Sequence, residues 1–230
     1  MGSLSTSSSA LKPWQVITGG ICGLVLTIGL ARFAYTPLLP ALQAQTGLSD
    51  AAAGGLAAVN YAGYMSGALA AAWIDDARWR HRLYSAGLWM ALLCTALMAV
   101  SAWWPAWALW RYLGGLCGAT GMLLGSGLVL GWLMRQGRRP ELGLHFIGLG
   151  LGILVSAVGA WVLQRVWPLW SSQWLALAVL GLVFLCRLGP GARRCRRRWP
   201  PPPRKPQRPP RPSAGCGPWP AATLRRAGAL

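Results

Sequence analysis

The sequence predicts an all-α membrane protein with six transmembrane helices, followed by a disordered tail rich in arginine and proline. Of the 230 residues, 54% are hydrophobic and only 11% are charged, whereas a soluble domain carries about 25% charged residues. Six apolar runs have roughly the 20 residues that a helix needs to cross a bilayer. The first 186 residues contain 10 Lys or Arg and 4 acidic residues. The last 44 residues contain 12 Lys or Arg and no acidic residue. The body and the tail therefore need separate explanations.

Three regions follow from this pattern: a disordered N-terminus over 1–13, a six-helix bundle over 14–188 and a basic, proline-rich tail over 189–230. Hydrocarbon offers no partner for backbone N–H and C=O groups, so each span must be helical. The six predicted spans are 14–35 (with a continuation toward 42), 51–74, 83–103, 106–134, 142–163 and 172–188. The first run is interpreted as a retained span, because Arg32, Phe33 and Tyr35 stand where a signal peptide needs small residues.

Basic residues fix the predicted orientation. One side of the bundle receives Lys12, the groups at 78–82 and 135–139, and the tail, whereas the opposite loops carry only Arg165. The positive-inside rule then places both termini in the cytoplasm. There the tail would adhere to anionic lipid, and nucleic acid is not expected as a partner. The six cysteines form no C-x-x-C pair, so neither a metal nor another cofactor is expected.

Glycine is abundant in the predicted spans. Among the glycines of spans four and five are Gly114, Gly118, Gly121, Gly125, Gly127, Gly131, Gly148, Gly150, Gly152 and Gly159. Small residues allow helix backbones to approach closely in a membrane. Two interpretations stay open, namely simple tight packing and helices that slide or rock against each other.

Ionisable groups at membrane depth are costly, and each is a candidate for function. Arg32 and Tyr35 precede two prolines in span one, where a bent helix frees carbonyl groups to face a cavity. Arg111 lies about 9 Å into span four. These residues are candidates for a substrate pathway. The alternative for Arg32 and Arg111 is that the side chains reach the membrane surface.

Further candidates lie in spans two and five. Asn60 shares a helix face with Tyr64, next to Tyr61, and this group either lines the pathway or bridges neighbouring helices. Glu141 and His145 form an i, i+4 pair that is suited to proton coupling, although a structural histidine is the alternative. An intramembrane serine hydrolase of the Gly-x-Ser-Gly type is disfavoured, because Leu124 stands two residues before Ser126 where glycine is expected, and no histidine follows His145. The protein is therefore not expected to be an enzyme.

Three strings resemble the YbfB/YjiJ-type branch of the major facilitator superfamily (MFS). They are GLARFAYTPLLP at 29–40, NYAGY at 60–64 and GLHFIGLGLGI at 143–153. The resemblance covers about residues 14–188 and implies a secondary transporter of an unknown small solute in the bacterial inner membrane. It would work by alternating access and be driven by an ion gradient. By the same resemblance, Arg111 would take part in proton coupling.

The wider superfamily offers two further checks. In the superfamily, the loop between spans two and three carries a motif that begins with glycine and continues with an acidic and several basic residues. Here the charged positions are Asp76, Arg78, Arg80 and Arg82, but Ala72 stands in place of the glycine. The string RYLGGLCGA at 111–119 is similar to the span-four motif. Span five lacks the Gly-Pro motif of antiporters, since no proline lies between Pro140 and Pro168.

The family implies twelve spans in two halves, and this chain carries one predicted half. A second six-helix half or a second copy of the chain would be needed to enclose a pathway. The tail has the composition of GC-rich codons read out of frame, which favours a truncated or frameshifted gene. The alternative to a transporter is a non-transporting remnant or membrane anchor whose tail binds anionic lipid.

Overall fold

The computed structural model describes residues 12–137, 139 and 142–197, with side chains described as far as Arg187. All regular structure within these ranges is helical. The elements are α1 (Pro13–Leu24), a π-helical segment (Val25–Phe33), α2 (Tyr35–Thr46), α3 (Asp50–Ala72), α4 (Ala77–Leu97), α5 (Trp104–Ala119), a second π-helical segment (Thr120–Leu124), α6 (Gly125–Arg135), α7 (Leu142–Val166) and α8 (Trp170–Arg197).

These elements form six continuous helical rods, and each coincides with one predicted span. Four of them are long and apolar enough to cross a membrane, namely Pro13–Thr46, Trp104–Arg135, Leu142–Val166 and Trp170–Arg187. The other two, α3 and α4, contain 23 and 21 residues but are less apolar. The all-helical membrane class is therefore confirmed, and the crossing of α3 and α4 stays a prediction.

The boundaries of the bundle differ from the predicted ones at the C-terminal end. Helix α8 continues to Arg197, past the Gly-Pro-Gly sequence at 189–191 that predicted the start of the tail. Arginine is a good helix former, which favours continuation of the helix through 193–197. The remainder of the predicted tail, 198–230, and the predicted N-terminal segment up to residue 11 lie outside the described residues.

Local signals in the sequence explain the short connections. Gly47 ends α2 with a positive φ of 68°, a conformation that glycine adopts without steric cost. Ser49 begins α3, where its hydroxyl accepts a hydrogen bond from the Ala52 N–H at 3.3 Å. Asp76 begins α4 in the same way, accepting from the Arg78 N–H at 2.9 Å. These caps turn the chain sharply between adjacent rods.

Glycines place two pairs of rods in backbone contact. A Cβ atom on Gly63 of α3 would collide with the Tyr112 carbonyl of α5, and one on Gly115 of α5 would collide with the Asn60 carbonyl of α3. On α7, Gly152 faces Gly29, where a Cβ on Gly29 would lie 2.6 Å from the Gly152 Cα. Tight packing by glycine is thus present, and the interpretation that these helices also rock stays a prediction.

Candidate functional site

Arg32 lies among aromatic rings where the first rod meets α3. Its guanidinium carbon is 4.2 Å from the centre of the Tyr64 ring, 4.8 Å from that of Tyr61 and 5.5 Å from that of Phe33. The Arg32 side chain is half-buried, and its Nε is fully buried with no hydrogen-bond acceptor among the described residues. The negative faces of aromatic rings stabilise a cation. The rings therefore hold the Arg32 charge inside the bundle.

Arg111 of α5 lies next to Arg32 and is almost wholly buried, with 4% of its surface exposed. Its Nη1 donates to the carbonyl oxygens of Ala31 and Arg32, each at 3.3 Å. Its guanidinium carbon lies 4.3 Å from the centre of the Tyr35 ring. One side chain thus ties α5 to the end of the first π-helical segment. The Arg111 side chain is thus enclosed by protein, and its depth in the membrane stays a prediction.

Two prolines follow the carbonyls that Arg111 binds. The π-helical segment Val25–Phe33 ends four residues before Pro37, which has no N–H to donate to the Phe33 carbonyl one turn earlier. Arg111 binds the two carbonyls directly before Phe33, those of Ala31 and Arg32. That the prolines free carbonyls to face a cavity stays a prediction.

Two further hydrogen bonds fix the surroundings of the arginines. Asn60 Nδ2 donates to the Arg111 carbonyl at 2.7 Å, and Asn60 is buried. The Tyr35 hydroxyl donates to the Ala53 carbonyl at 2.9 Å, so it links the first rod to α3. Of the two interpretations of Asn60, bridging of neighbouring helices is what the structure shows.

The structure therefore brings six predicted pathway residues together. We call them the arginine cluster: Arg32, Tyr35, Asn60, Tyr61, Tyr64 and Arg111. Tyr61 is 56% exposed, so the cluster extends from the buried Arg111 to the surface of the bundle. The Tyr64 hydroxyl donates to the sulfur of Met122 at 3.3 Å, a contact that joins α3 to the second π-helical segment.

His145 lies in a separate place, packed between α1, α6 and α7. It is fully buried, and its Nε2 is 3.1 Å from the Ser126 hydroxyl. A Cβ on Gly20 would collide with its Nδ1. Gly20 precedes Arg32 by 12 residues, about 18 Å along a helix, so His145 is not part of the arginine cluster. Glu141, its predicted partner, lies outside the described residues.

The Ser126–His145 contact was not anticipated from the sequence. The Ser126 hydroxyl donates to the Met122 carbonyl. Between Ser126 and His145 Nε2, the tautomer of the histidine decides which atom donates. The buried Nδ1 meets no partner within the described part of the chain.

The loop residues of the predicted superfamily motif lie at the junction of α3 and α4. Asp76 caps α4. Arg80 donates a hydrogen bond from Nε to the Ile74 carbonyl at 2.6 Å, and its Nη2 lies 4.0 Å from Oδ1 of Asp75. Arg82 lies over the Trp79 ring at 5.6 Å. Arg78 is exposed beside them. These contacts shape the turn, and a gating role for the loop stays a prediction.

Sequence analysis missed Ser126 as the partner of His145, and it missed Phe33 and Met122 as contacts of the arginine cluster. Phe33 directly follows Arg32, which was a usable signal, because arginine at membrane depth needs aromatic or polar neighbours. Ser126 and Met122 carry no such signal. They lie on α6 and the second π-helical segment, and only the three-dimensional packing places them there.

The profile of one protein family matches residues 24–213, and that family is described as an uncharacterised MFS-type transporter YbfB. The matched range contains the whole arginine cluster and His145, and it extends into the Arg/Pro-rich region. Comparison with curated proteins and with solved structures gives no significant match.

Proposed function

Since the chain belongs to the YbfB-type family of MFS transporters, we propose that it moves a small solute across a membrane by alternating access, with the arginine cluster lining the pathway. The burial of Arg111 against the Ala31 and Arg32 carbonyls of the first π-helical segment carries this proposal. An ionisable group at membrane depth is typical of substrate and ion pathways. MFS substrate sites lie near the middle of the membrane, between repeated units.

The proposal assigns all six helical rods as membrane spans. At 1.5 Å per residue, α3 and α4 measure about 35 and 32 Å, enough to cross a hydrocarbon core of about 30 Å. Helix α3 is alanine- and glycine-rich because it packs against α5 through Gly63 and Gly67. Small residues on that contact face lower the mean hydropathy of α3 but allow the close approach of the two helices. The positive-inside rule then places both termini in the cytoplasm of a bacterial cell.

His145 is the proposed site of proton coupling in this half, together with Arg111. Its Nδ1 is buried without a partner among the described residues, and an imidazole ring can gain and lose a proton near neutral pH. Glu141, four residues earlier in the sequence, is proposed to exchange protons with it. A transported proton would reach the arginine cluster only through helices that move.

We propose that a second six-helix half, or a second copy of this chain, completes the pathway. The exposed apolar side chains on α3 recur every four residues and adjoin the arginine cluster: Tyr61, Met65, Leu69 and Trp73. One helix face therefore leads from the candidate pathway to the surface of the bundle. A partner on that face would enclose the exposed Tyr61.

Flux in proteoliposomes tests the proposed function. The full chain is reconstituted, a pH gradient is imposed, and currents and internal pH are recorded while D-glucose, L-alanine, acetate, benzoate and citrate are added in turn. Gradient-dependent movement of at least one solute, absent from protein-free vesicles, supports transport. If none moves while the protein is inserted and folded, the chain is a membrane anchor rather than a transporter. Cross-linking of the reconstituted chain shows whether a second copy completes it.

A further inference from the structure

The charge of the arginine cluster is not balanced by any acidic residue that the structure describes. Asp75 lies against Arg80 and Asp76 caps α4, both in the loop before α4. Asp50 accepts a hydrogen bond from Gln43 at 2.7 Å. Asp50 also precedes Asn60 by ten residues, about 15 Å along α3. All three carboxylates are therefore engaged at helix ends, away from the two arginines.

The guanidinium of Arg32 has hydrogen-bond donors that the described residues do not use. Phe33, Tyr61 and Tyr64 contact its charge, but ring faces are poor acceptors for the N–H groups of a guanidinium. Its Nε is buried without an acceptor, and no hydrogen bond from its guanidinium is formed within the described ranges. A guanidinium has five donors in a planar fork that matches an oxyanion with two hydrogen bonds. The structure leaves that fork unpaired.

Arg111 adds a second positive charge to the same place. Its Nη1 is committed to the Ala31 and Arg32 carbonyls, and its Nε is buried and lacks an acceptor in the described part of the chain. Its Nη1 lies 3.3 Å from the backbone carbonyl of Arg32, so the two arginines are neighbours in the bundle. Buried charges are normally paired, because an unpaired one loses its hydration without compensation. A bound anion would compensate both arginines at once.

We propose that the solute of this transporter is a small oxyanion, a carboxylate or a phosphate, bound through the guanidinium of Arg32. Arg111 is the supporting charge, and it positions Arg32 by holding its backbone carbonyl. The rings of Tyr61 and Tyr64 form the surface beside the bound group, and the exposed Tyr61 marks the side of entry. This substrate class rests on the proposed transport function, but binding of the anion is measured without transport.

Equilibrium binding to the detergent-purified full chain tests the proposal. The probes are benzoate with its neutral analogue benzamide, acetate with acetamide, and inorganic phosphate, each titrated at constant ionic strength and followed by the unfolding midpoint. We expect saturable stabilisation by at least one oxyanion and none by the amides. Arg32→Gln should weaken that binding at least 10-fold, and Arg32→Lys, which keeps the charge but not the fork, should weaken it less. Comparing the titrations with carboxylates and with phosphate shows which type of anion the site binds.

Arg165→Gln is the matched control, because Arg165 also lies over an aromatic ring, Trp161, at 3.7 Å but belongs to an exposed helix end. The basic residues of 189–230 are the same in all variants, so only the difference between the Arg32 and Arg165 variants counts. Equal binding by wild type and a folded Arg32→Gln protein, or no saturable binding of any oxyanion, overturns the proposal. If the protein binds an anion but moves no solute, the transport proposal fails and the anion site stands. If it moves only neutral solutes, the anion-site proposal fails and transport stands.

Discussion

Asn60 on α3 donates a hydrogen bond from its side-chain amide to the backbone carbonyl of Arg111 on α5, at 2.7 Å. This bond lies beside the glycine contacts that bring the two helices together. It also fixes the segment of α5 that carries the buried guanidinium. The position of the Arg111 charge therefore depends on a residue of another helix, 51 positions earlier in the chain.

Replacing Asn60 by alanine should loosen α3 from α5. Interhelical hydrogen bonds in membranes contribute about 0.6 to 1.7 kcal/mol, so we expect a measurable fall in the unfolding midpoint of the purified protein. Gln136→Ala removes an exposed amide at the end of α6 and serves as the control. Equal midpoints for the two variants would contradict the assigned role of Asn60.

Gly63→Ala should destabilise the bundle, because the new methyl group would collide with the Tyr112 carbonyl. Overpacking of this kind costs about 1 to 3 kcal/mol. Gly54→Ala on the same helix is the matched control, since a Cβ there meets nothing within 4 Å. The control should be neutral or slightly stabilising, because alanine favours helices. The comparison is read from unfolding midpoints, and a Gly63 variant as stable as the control would refute the close contact.

Tyr35→Phe separates the two contacts of Tyr35. The variant loses the hydrogen bond to the Ala53 carbonyl but keeps the ring that lies 4.3 Å from the Arg111 guanidinium carbon. We expect a loss of about 1 kcal/mol in unfolding free energy. Tyr35→Leu, which also removes the ring, should lose more. If both variants were equally stable, the ring would contribute nothing to holding Arg111.

Cysteine labelling tests whether α3 and α4 cross the membrane. In a variant without native cysteines, Ala51→Cys and Ala102→Cys mark the predicted outer ends, and Ala72→Cys marks the inner end of α3. All three alanines are exposed. A membrane-impermeant maleimide added to intact cells should label the first two, and the third only after permeabilisation. Labelling of Ala72→Cys in intact cells would contradict six spans with a cytoplasmic N-terminus.

The helices were predictable because membrane spans are long and apolar, and all six predicted runs coincide with helical rods. The members of the arginine cluster stand out in the sequence, since ionisable and polar residues are rare within apolar runs, and their role in a pathway stays a prediction. The contacts inside the cluster were not predictable: sequence position does not show that Arg111 reaches the Ala31 carbonyl, 80 residues away. The continuation of α8 to Arg197 was missed because the Gly-Pro-Gly sequence is a strong local signal for the end of a helix.

The most direct test of the account is the initial rate of gradient-driven solute flux into proteoliposomes containing the full chain, compared between Arg111→Gln and Arg165→Gln. Both variants remove one arginine, but only the first removes the buried charge of the arginine cluster. We predict that flux falls at least 10-fold in Arg111→Gln and stays near the wild-type rate in Arg165→Gln. Wild-type flux in a folded Arg111→Gln protein would contradict the claim that the arginine cluster lines the pathway.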